Sequence, residues 1–210
     1  MFDQKQNRLI YRYDAEQLWI EPWGANAFRV RATKMSTMPT VDWALQEPAG
    51  SEVSISLSEN EATVKNGKIR ATISKRGKIM MYNSKGEPLL EEYARHRRDL
   101  TDPKCSALEV EEREFKPIPG GDYHLTMRFE SVSSKEKIYG MGQYQQDSLD
   151  LKGHDLELAH RNSQASVPFA LSSLGYGFLW NNPGIGRAVL GKNVMSFEAY
   201  STRSLDYWIV

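Results

Sequence analysis

The sequence predicts an all-β fold, an antiparallel β-sandwich with few or no helices, for this chain of 210 residues. Short segments in which apolar and polar residues alternate recur along the chain, and a period of two is typical of half-buried strands. Three turn signals follow one another at intervals of roughly ten residues: Asn66-Gly67, Arg76-Gly77 and Asn83–Gly86. Asn-Gly between two alternating segments is the strongest short-range signal for a β-hairpin. Several short strands at this spacing favour a sandwich of antiparallel sheets.

The first third of the chain contains four strand candidates. They are Leu9–Tyr13, Gln17–Ile20, Ala27–Ala32 and Val53–Leu57. In the third candidate, three apolar residues alternate with two arginines, Arg29 and Arg31. This alternation predicts a half-buried strand, with Phe28 and Val30 in the core and the arginines on the other face.

Two segments show no single pattern. Residues 34–50 have no clear period, and we interpret them as a long loop that Trp43 packs against the core. The segment Gly86–Arg98 allows two interpretations, because Pro88 could begin a helix with apolar residues at helical spacing, or the segment could be extended. The basic residues 95–98 at its end predict a solvated face, with a phosphate or partner site as the alternative.

The second half adds four more strand candidates. They are Ala107–Phe115, Asp122–Ser131, Met195–Tyr200 and Leu205–Val210. The second of these has a continuous apolar stripe that includes Leu125, Met127 and Phe129, with polar residues between them. The last candidate is still apolar where the sequence stops. Since such a strand needs a partner to cover it, we expect the chain to be a fragment of a longer protein.

Composition and charge exclude several classes of function. Lys and Arg together number 27, as do Asp and Glu, so a net charge of zero gives no electrostatic attraction to nucleic acid or to an anionic membrane. The four histidines lack the paired spacing of metal ligands, and we expect neither a metal nor another cofactor. The single Cys105 cannot form an internal disulfide. With no visible signal peptide or membrane span, the sequence predicts a cytoplasmic protein.

A polar loop between apolar segments is the main candidate for a binding site. The stretch 137–182 begins with a turn on Gly140 and Gly142 and then crosses polar residues to the tripeptide His-Arg-Asn at 160–162. It re-enters the apolar core at residues 167–169, which are Val-Pro-Phe. Many binding sites consist of polar side chains on a loop that rigid strands hold at both ends.

Four short motifs occur in order along this stretch. They are Tyr139–Gln143, Arg161-Asn162, Val167–Phe169 and Gly175–Gly177. Together they resemble the end of the N-terminal β-sandwich of glycoside hydrolase family 31, which contains α-glucosidases and α-xylosidases. The resemblance covers about residues 137–210 and implies a galactose-mutarotase-like supersandwich over residues 1–210, truncated before a catalytic (β/α)8 barrel. Gln143, where the glucosidase members have glutamate, is similar to the α-xylosidase branch.

The resemblance also implies where catalysis takes place. Retaining glycosidases use two carboxylates, one as nucleophile and one as acid and base, and in this family both are aspartates of the barrel. No segment of the sequence matches the family's nucleophile motif, which is similar to Trp-x-Asp-Met-Asn-Glu. We therefore expect the parent protein to be an O-glycosyl hydrolase that acts on α-linked oligosaccharides or glycosides. We expect this chain alone to be inactive.

The same resemblance implies that the sandwich supplies a loop to the sugar-binding pocket of the barrel. The substrate-binding candidates are Asn162, His160 and Arg161. The family often has Asn-Arg-Asp here, and Asn162 takes the place of the aspartate. An amide can both donate to and accept from sugar hydroxyls. The alternatives are a turn-forming role for Asn162 and loop-bracing hydrogen bonds for His160 and Arg161.

Two further functions stay open from the sequence alone. A free-standing carbohydrate-binding module would need no barrel. An aldose-epimerase-like enzyme would need a His and Glu pair in its groove, which the sequence does not identify. Tyr176 and Trp180 could stack on sugar rings, although their apolar neighbours favour a place in the core.

Overall fold

The computed structural model describes residues 1–40, 42, 46, 50, 51, 53–97, 100 and 102–210 of the chain. In these residues the regular elements are all β-strands, and every strand pair is antiparallel. The same described residues contain no helix that could cross a membrane. Two sheets enclose one hydrophobic core, so the predicted all-β sandwich is confirmed.

Within the described residues, the first sheet has eight strands and the second has ten. The first sheet contains, in order across it, β1 (Phe2–Lys5), β2 (Arg8–Tyr13), β3 (Glu16–Trp23), β4 (Ala27–Thr33), β18 (Leu205–Ile209), β15 (Tyr176–Trp180), β14 (Ala165–Ser172) and β12 (Ile138–Gln143). The second contains β13 (Asp155–Leu158), β16 (Gly186–Leu190), β17 (Val194–Thr202), β11 (Tyr123–Glu130), β9 (Pro88–Glu92), β8 (Ile79–Tyr82), β7 (Ile69–Ser74), β6 (Glu61–Asn66) and β5 (Val53–Leu57), with β10 (Arg113–Pro117) also paired to β11. Strand β4 pairs with β18, so an early and a late strand of the sequence are neighbours in the middle of the first sheet.

The core between the sheets is built from the alternating apolar residues of the strands. On β11 the predicted stripe of Leu125, Met127 and Phe129 is buried. Phe129 meets Phe178 and Tyr207 of the opposite sheet edge-on, with ring centroids 5.5 and 5.9 Å apart. Aromatic pairs of this geometry contribute about 0.5–1.5 kcal/mol each beyond the burial of their area. The stripe therefore joins the two sheets at the centre of the sandwich.

The predicted hairpin at Asn66-Gly67 is confirmed. It joins β6 to β7, and Gly67 has a φ of 57°, in the left-handed region that glycine adopts without strain. The side chain of Asn66 is buried and donates to the carbonyl of Ala27 at 2.9 Å. The hairpin end of the second sheet is thereby fastened to the first sheet.

Strand β4 differs from the prediction, because it is buried on both faces. Arg29 and Arg31 are only 6% and 8% exposed, so the interpretation as a half-buried strand is wrong. Arg29 makes two hydrogen bonds to Asp206, at 3.0 and 2.7 Å, and its guanidinium lies 4.3 Å from the ring centre of Trp208. Arg31 bonds to Glu21 at 2.7 Å. Buried cations are stable here because each has a carboxylate partner and an aromatic neighbour.

The two ambiguous segments are partly resolved. Residues 88–92 form strand β9, so the extended alternative is confirmed for them and the helical one is wrong. The predicted strand Ala107–Phe115 begins only at Arg113, and before it a single bridge pairs Val110 with Arg95. That part of the segment is held by side chains instead of a ladder, because His96 bonds to Glu112 and Glu109. Trp43, on which the prediction for residues 34–50 rests, lies outside the described residues. The solvated face predicted for residues 95–98 is wrong for Arg95 and His96, which are half-buried beside Glu130 and Glu112, whereas Arg97 is exposed and Arg98 lies outside the described residues.

Candidate functional site

The predicted loop at 160–162 is a tight turn that passes from one sheet to the other. It connects β13, at the edge of the second sheet, to β14, near the edge of the first. Arg161 and Gln164 exchange backbone hydrogen bonds of 3.2 and 3.1 Å. Ser163, between them, has a φ of 65°. A positive φ at the second central residue is the geometry of a type II turn.

Two side chains brace this turn. Arg161 donates to Glu157 at 3.0 and 2.6 Å, and this bond lowers the pKa of the Glu157 carboxyl. Gln164 donates to the carbonyl of Ala159 at 3.3 Å. The guanidinium of Arg161 thus takes the loop-bracing position that was the alternative to its role in binding.

Two other side chains of the turn are left free. His160 and Asn162 are exposed and make no side-chain hydrogen bond within the described part of the chain. The turn itself does not require asparagine at 162, because the left-handed residue is Ser163. Of the three predicted site residues, His160 and Asn162 are therefore available to a ligand.

A groove of about 660 Å³ lies beside the turn, and His160 lines it whereas Arg161 and Asn162 do not. The opposite wall comes from the segment after β15. There Asn181 donates to Asp206 at 3.0 Å, and Asn182 donates to Thr202 at 3.0 Å. The sequence analysis did not select these residues. The run Asn-Asn-Pro-Gly at 181–184 is a turn signal that could have indicated a second loop at this site.

The Gly-x-Gly motif is a β-bulge between β12 and β14. Gly140, Met141 and Gly142 all have positive φ, at 97°, 65° and 98°, and the strand register shifts between the two glycines. Met141 is completely buried. A Cβ on Gly142 would lie 2.6 Å from the backbone nitrogen of Val167. The motif therefore serves close backbone packing, and it ends at Gln143 next to the base of the turn.

Beneath β12 and β14 a buried carboxylate holds several polar groups together. Glu136 accepts hydrogen bonds from Ser172 at 2.6 Å and from Tyr176 at 2.8 Å, and Lys152 lies 2.7 Å from its other oxygen. Burial and the nearby Glu136 raise the pKa of Tyr176. Trp180 is buried as well. Neither aromatic residue is open to a sugar, so both belong to the core.

Residues 167–169 do not enter the core as predicted. Ala170 and Ser172 of β14 point inward and are buried, whereas Val167 and Leu171 are exposed and Phe169 is half-buried. The prediction is wrong because the strand alternates, and the apolar residues of the motif fall on its outward side.

Two histidines of the described residues, His96 and His124, lie beside glutamates, and the sequence did not identify these pairings. The ring nitrogens of His96 lie 2.9 Å from Glu112 and 3.3 Å from Glu109, and the bond to Glu112 is the main cause of its raised pKa. Both ring nitrogens of His96 therefore lie within hydrogen-bond distance of a carboxylate. His124 lies 3.1 Å from Glu198 on the outward face of the second sheet. Nowhere in the described residues, these clusters included, do three His, Cys, Asp or Glu side chains form a group that could hold a metal ion.

Comparison with known proteins gives a consistent set of matches. The family model of the glycosyl hydrolase 31 N-terminal galactose mutarotase-like domain matches residues 17–186. An uncharacterized family 31 glucosidase of Pseudescherichia vulneris is 47% identical over 211 residues, which cover 97% of this chain and 40% of that protein. α-Xylosidase A of Aspergillus niger is 27% identical, over 100% of this chain and 30% of its own.

A solved structure agrees with this set. The crystal structure of a family 31 α-xylosidase from a soil metagenome, complexed with xylose, superposes with a TM-score of 0.96 at 47% identity. The match covers 100% of this chain and 32% of the α-xylosidase. The chain thus spans well under half the length of the relatives that it matches.

Proposed function

The chain belongs to glycoside hydrolase family 31, as the galactose mutarotase-like domain that stands N-terminal in its members, and from this premise we propose its role. Residues 1–210 are the non-catalytic N-terminal sandwich of a retaining α-glycosidase whose (β/α)8 barrel follows in the complete protein. The observation that carries the proposal is the match of the whole chain to 32% of an α-xylosidase at a TM-score of 0.96.

The substrate class that we propose for the complete protein is an α-xyloside, with an α-glucoside as the second candidate. The α-xylosidase structure with xylose and the α-xylosidase of Aspergillus niger support the first. Gln143 supports it too, because glutamine at this place resembles the xylosidase branch, where the glucosidase members have glutamate, and the side chain is exposed next to the turn. The glucosidase of Pseudescherichia vulneris supports the second.

The first prediction compares the hydrolytic activity of the 210-residue chain with that of the complete protein. The 210-residue chain is expected to hydrolyse neither nitrophenyl α-xyloside nor nitrophenyl α-glucoside, because two carboxylates are needed and the family's aspartates are not matched here. The complete protein is expected to hydrolyse the xyloside faster. Release of nitrophenol is the measurement. Turnover by the purified 210-residue chain would contradict the assignment, and turnover of the glucoside alone by the complete protein would contradict the substrate class.

Asn162 is the residue that we propose for direct contact with the sugar. It is exposed, it has no partner in the described residues, and the turn does not depend on it. Arg161 and Gln164 hold the turn in place around it. We propose that His160 also contacts the sugar, from the side of the groove, and that Arg161 braces the turn. The turn then has its final conformation before the sugar binds.

The second prediction tests that contact. Asn162→Ala in the complete protein is expected to lower kcat/KM by roughly 2- to 13-fold, since a neutral hydrogen bond contributes about 0.5–1.5 kcal/mol. The matched control is Ser163→Gly, which keeps the positive φ and removes the neighbouring side chain. Kinetics are compared at equal thermal stability. An Asn162→Ala enzyme as active as the control would show that the amide does not touch the substrate.

The free-standing carbohydrate-binding module stays the second candidate, and binding of xylo- or gluco-oligosaccharides by the 210-residue chain would favour it. For residues 1–210 we propose no cofactor, and no nucleic-acid or membrane partner, the latter in line with their net charge of zero. A cytoplasmic location is also a proposal, and it rests on the single free Cys105.

A further inference from the structure

One half of the outer face of the first sheet is covered by the chain itself. The covering segment follows β4, where the carbonyl of Pro39 accepts from Arg31 at 3.1 Å and Asp42 lies 2.9 Å from Arg29. The guanidinium of Arg29 also lies against Trp208, so this half is closed by ion pairs and aromatic rings.

The other half of the same face, over β12, β14 and β15, is apolar and open. Val167, Leu171 and Val210 are 53%, 49% and 55% exposed, and Tyr139 is 36% exposed. Phe169, between Val167 and Leu171, is half-buried. We call these five side chains the apolar face. The outward side of an antiparallel sheet that faces water usually carries polar residues, and this one does not.

The apolar face is continuous. Tyr139 stands opposite Leu171 in the strand register, and Leu171 stands opposite Gly177. Gly177 leaves room for its neighbours, because a Cβ there would lie 2.8 Å from the ring of Phe169 and 3.1 Å from a methyl group of Val210. The five side chains on β12, on β14 and at residue 210 after β18 therefore adjoin one another instead of being scattered singly. Adjoining exposed apolar side chains are typical of interaction surfaces, whereas single ones are ordinary.

We infer that the apolar face is the surface on which the remaining part of the complete protein, the catalytic domain, docks. The inference rests on the proposed function. The matched relatives contain well over half their length beyond the matched region, so a large body is present in them to cover this face.

The direction of β14 supports the same occupant. Nine residues separate Asn162 from Leu171, which is at most about 30 Å at 3.3 Å per residue. The free side chain of Asn162 precedes β14, and the outward row of Val167, Phe169 and Leu171 runs along it. A single domain that covers this outward row of β14 would also contact the turn at 160–162. The proposed sugar pocket requires that contact, because the sandwich and the catalytic domain both contribute to it.

The chemistry of the face is unlike that of a sugar platform. Sugar sites combine aromatic faces with convergent polar groups. Of the five side chains of the apolar face, only Tyr139 has a hydrogen-bonding group, and the outward positions of β14 have none. Those positions are Ala165, Val167, Phe169 and Leu171. Branched aliphatic side chains instead suit packing against a second apolar protein surface, and contacts between domains of one chain typically bury about 600–1,500 Å².

The test uses the complete protein with a specific protease site introduced directly after residue 210, so that residues 1–210 and the remaining part, the second chain, fold together before they are cut apart. The variant is Val167→Glu with Leu171→Glu. The matched control is Leu57→Glu with Leu149→Glu, at two exposed leucines away from the apolar face. Both double variants of the 210-residue chain are expected to keep its Tm, since all four side chains are exposed. The face variant is expected to bind the second chain at least about 100-fold more weakly than the control, because an uncompensated charge at a dry interface is strongly unfavourable.

Equal affinity of the two double variants for the second chain would overturn the inference. Two other occupants would do so as well: a dimer of the 210-residue chain that only the face variant dissociates, or xylo-oligosaccharide binding that only the face variant loses. Hydrolysis by the mixed chains separates the two proposals. An active mixture with equal affinities leaves the proposed function standing, whereas face-dependent binding without hydrolysis leaves the docking surface standing.

Discussion

Arg113→Met is expected to lower the free energy of unfolding by about 3–5 kcal/mol at pH 8, because it leaves a buried carboxylate without its counter-ion. The guanidinium of Arg113 is almost wholly buried. It donates to Glu16 at 2.7 Å, to the carbonyl of Gly77 at 3.0 Å and to Glu92. Glu16 belongs to the first sheet and Glu92 to the second, so one side chain joins the two sheets through charge.

The loss of stability is expected to depend on pH. Burial raises the pKa of Glu92 to about 7, against the opposing effect of Arg113, whereas its ordinary value is 4.5. Without the arginine that pKa rises further. At a pH between the ordinary pKa of 4.5 and the raised pKa in the folded state, Glu92 binds more protons in the folded state than in the unfolded state. The free energy of unfolding therefore falls as the pH rises through this range. The effect of Arg113→Met is therefore expected to be smaller at pH 5 than at pH 8.

Urea denaturation of the 210-residue chain at both pH values measures this effect. The control is the double variant Arg113→Met with Glu92→Leu, which removes the unpaired charge together with its partner. It is expected to regain more than half of the lost stability, since apolar residues often replace a buried ion pair without loss. A loss below about 0.5 kcal/mol at both pH values, within the range of ordinary surface substitutions, would show that the cluster is dispensable.

Local patterns predicted the part of the fold that depends on local forces. The stripe on β11 and the hairpin at Asn66-Gly67 lie where they were expected, because alternation and turn chemistry act over a few residues. The burial of Arg29 was not predictable in this way. Its partner Asp206 is 177 residues distant in the chain, and only the pairing of β4 with β18 brings them together.

The candidate site, like the fold, was predictable from the sequence only in part. The resemblance located the turn at 160–162, but it could not separate the residue that braces from those that are free. That distinction depends on Glu157 and on the left-handed conformation of Ser163. The apolar motif at 167–169 was assigned to the core because its residues are hydrophobic. Its exposure follows from the register of β14 against β12 and β15, which hydrophobicity alone does not set.

Gly142→Ala is expected to lower kcat/KM of the complete protein more than Asn162→Ala does, by roughly 5- to 150-fold. The displaced turn carries both of the sugar contacts that we propose, Asn162 and His160, and each hydrogen bond contributes about 0.5–1.5 kcal/mol. Gly142 has a φ of 98°, a backbone conformation that residues with a side chain rarely adopt. An added Cβ would lie 2.6 Å from the backbone nitrogen of Val167 and closer still to the carbonyl of Ala165. Because both are backbone atoms, the start of β14 has to move, and Ala165 directly follows the turn that presents Asn162.

Gly175→Ala separates this displacement from simple strain. Gly175 has a φ of 89°, similar to that of Gly142, but an added Cβ meets no atom within 4 Å. Both variants are expected to lose about 1–3 kcal/mol of stability through the unfavourable φ. Only Gly142→Ala is expected to lose most of its activity, since Gly175 lies in the turn at the opposite end of β14.

Steady-state kinetics at a temperature where both variants are folded provide the comparison. An equal fall in kcat/KM would mean that the bulge stabilises the sandwich without positioning the turn. A fall confined to Gly142→Ala would connect the Gly-x-Gly motif to the sugar pocket through the backbone of β14.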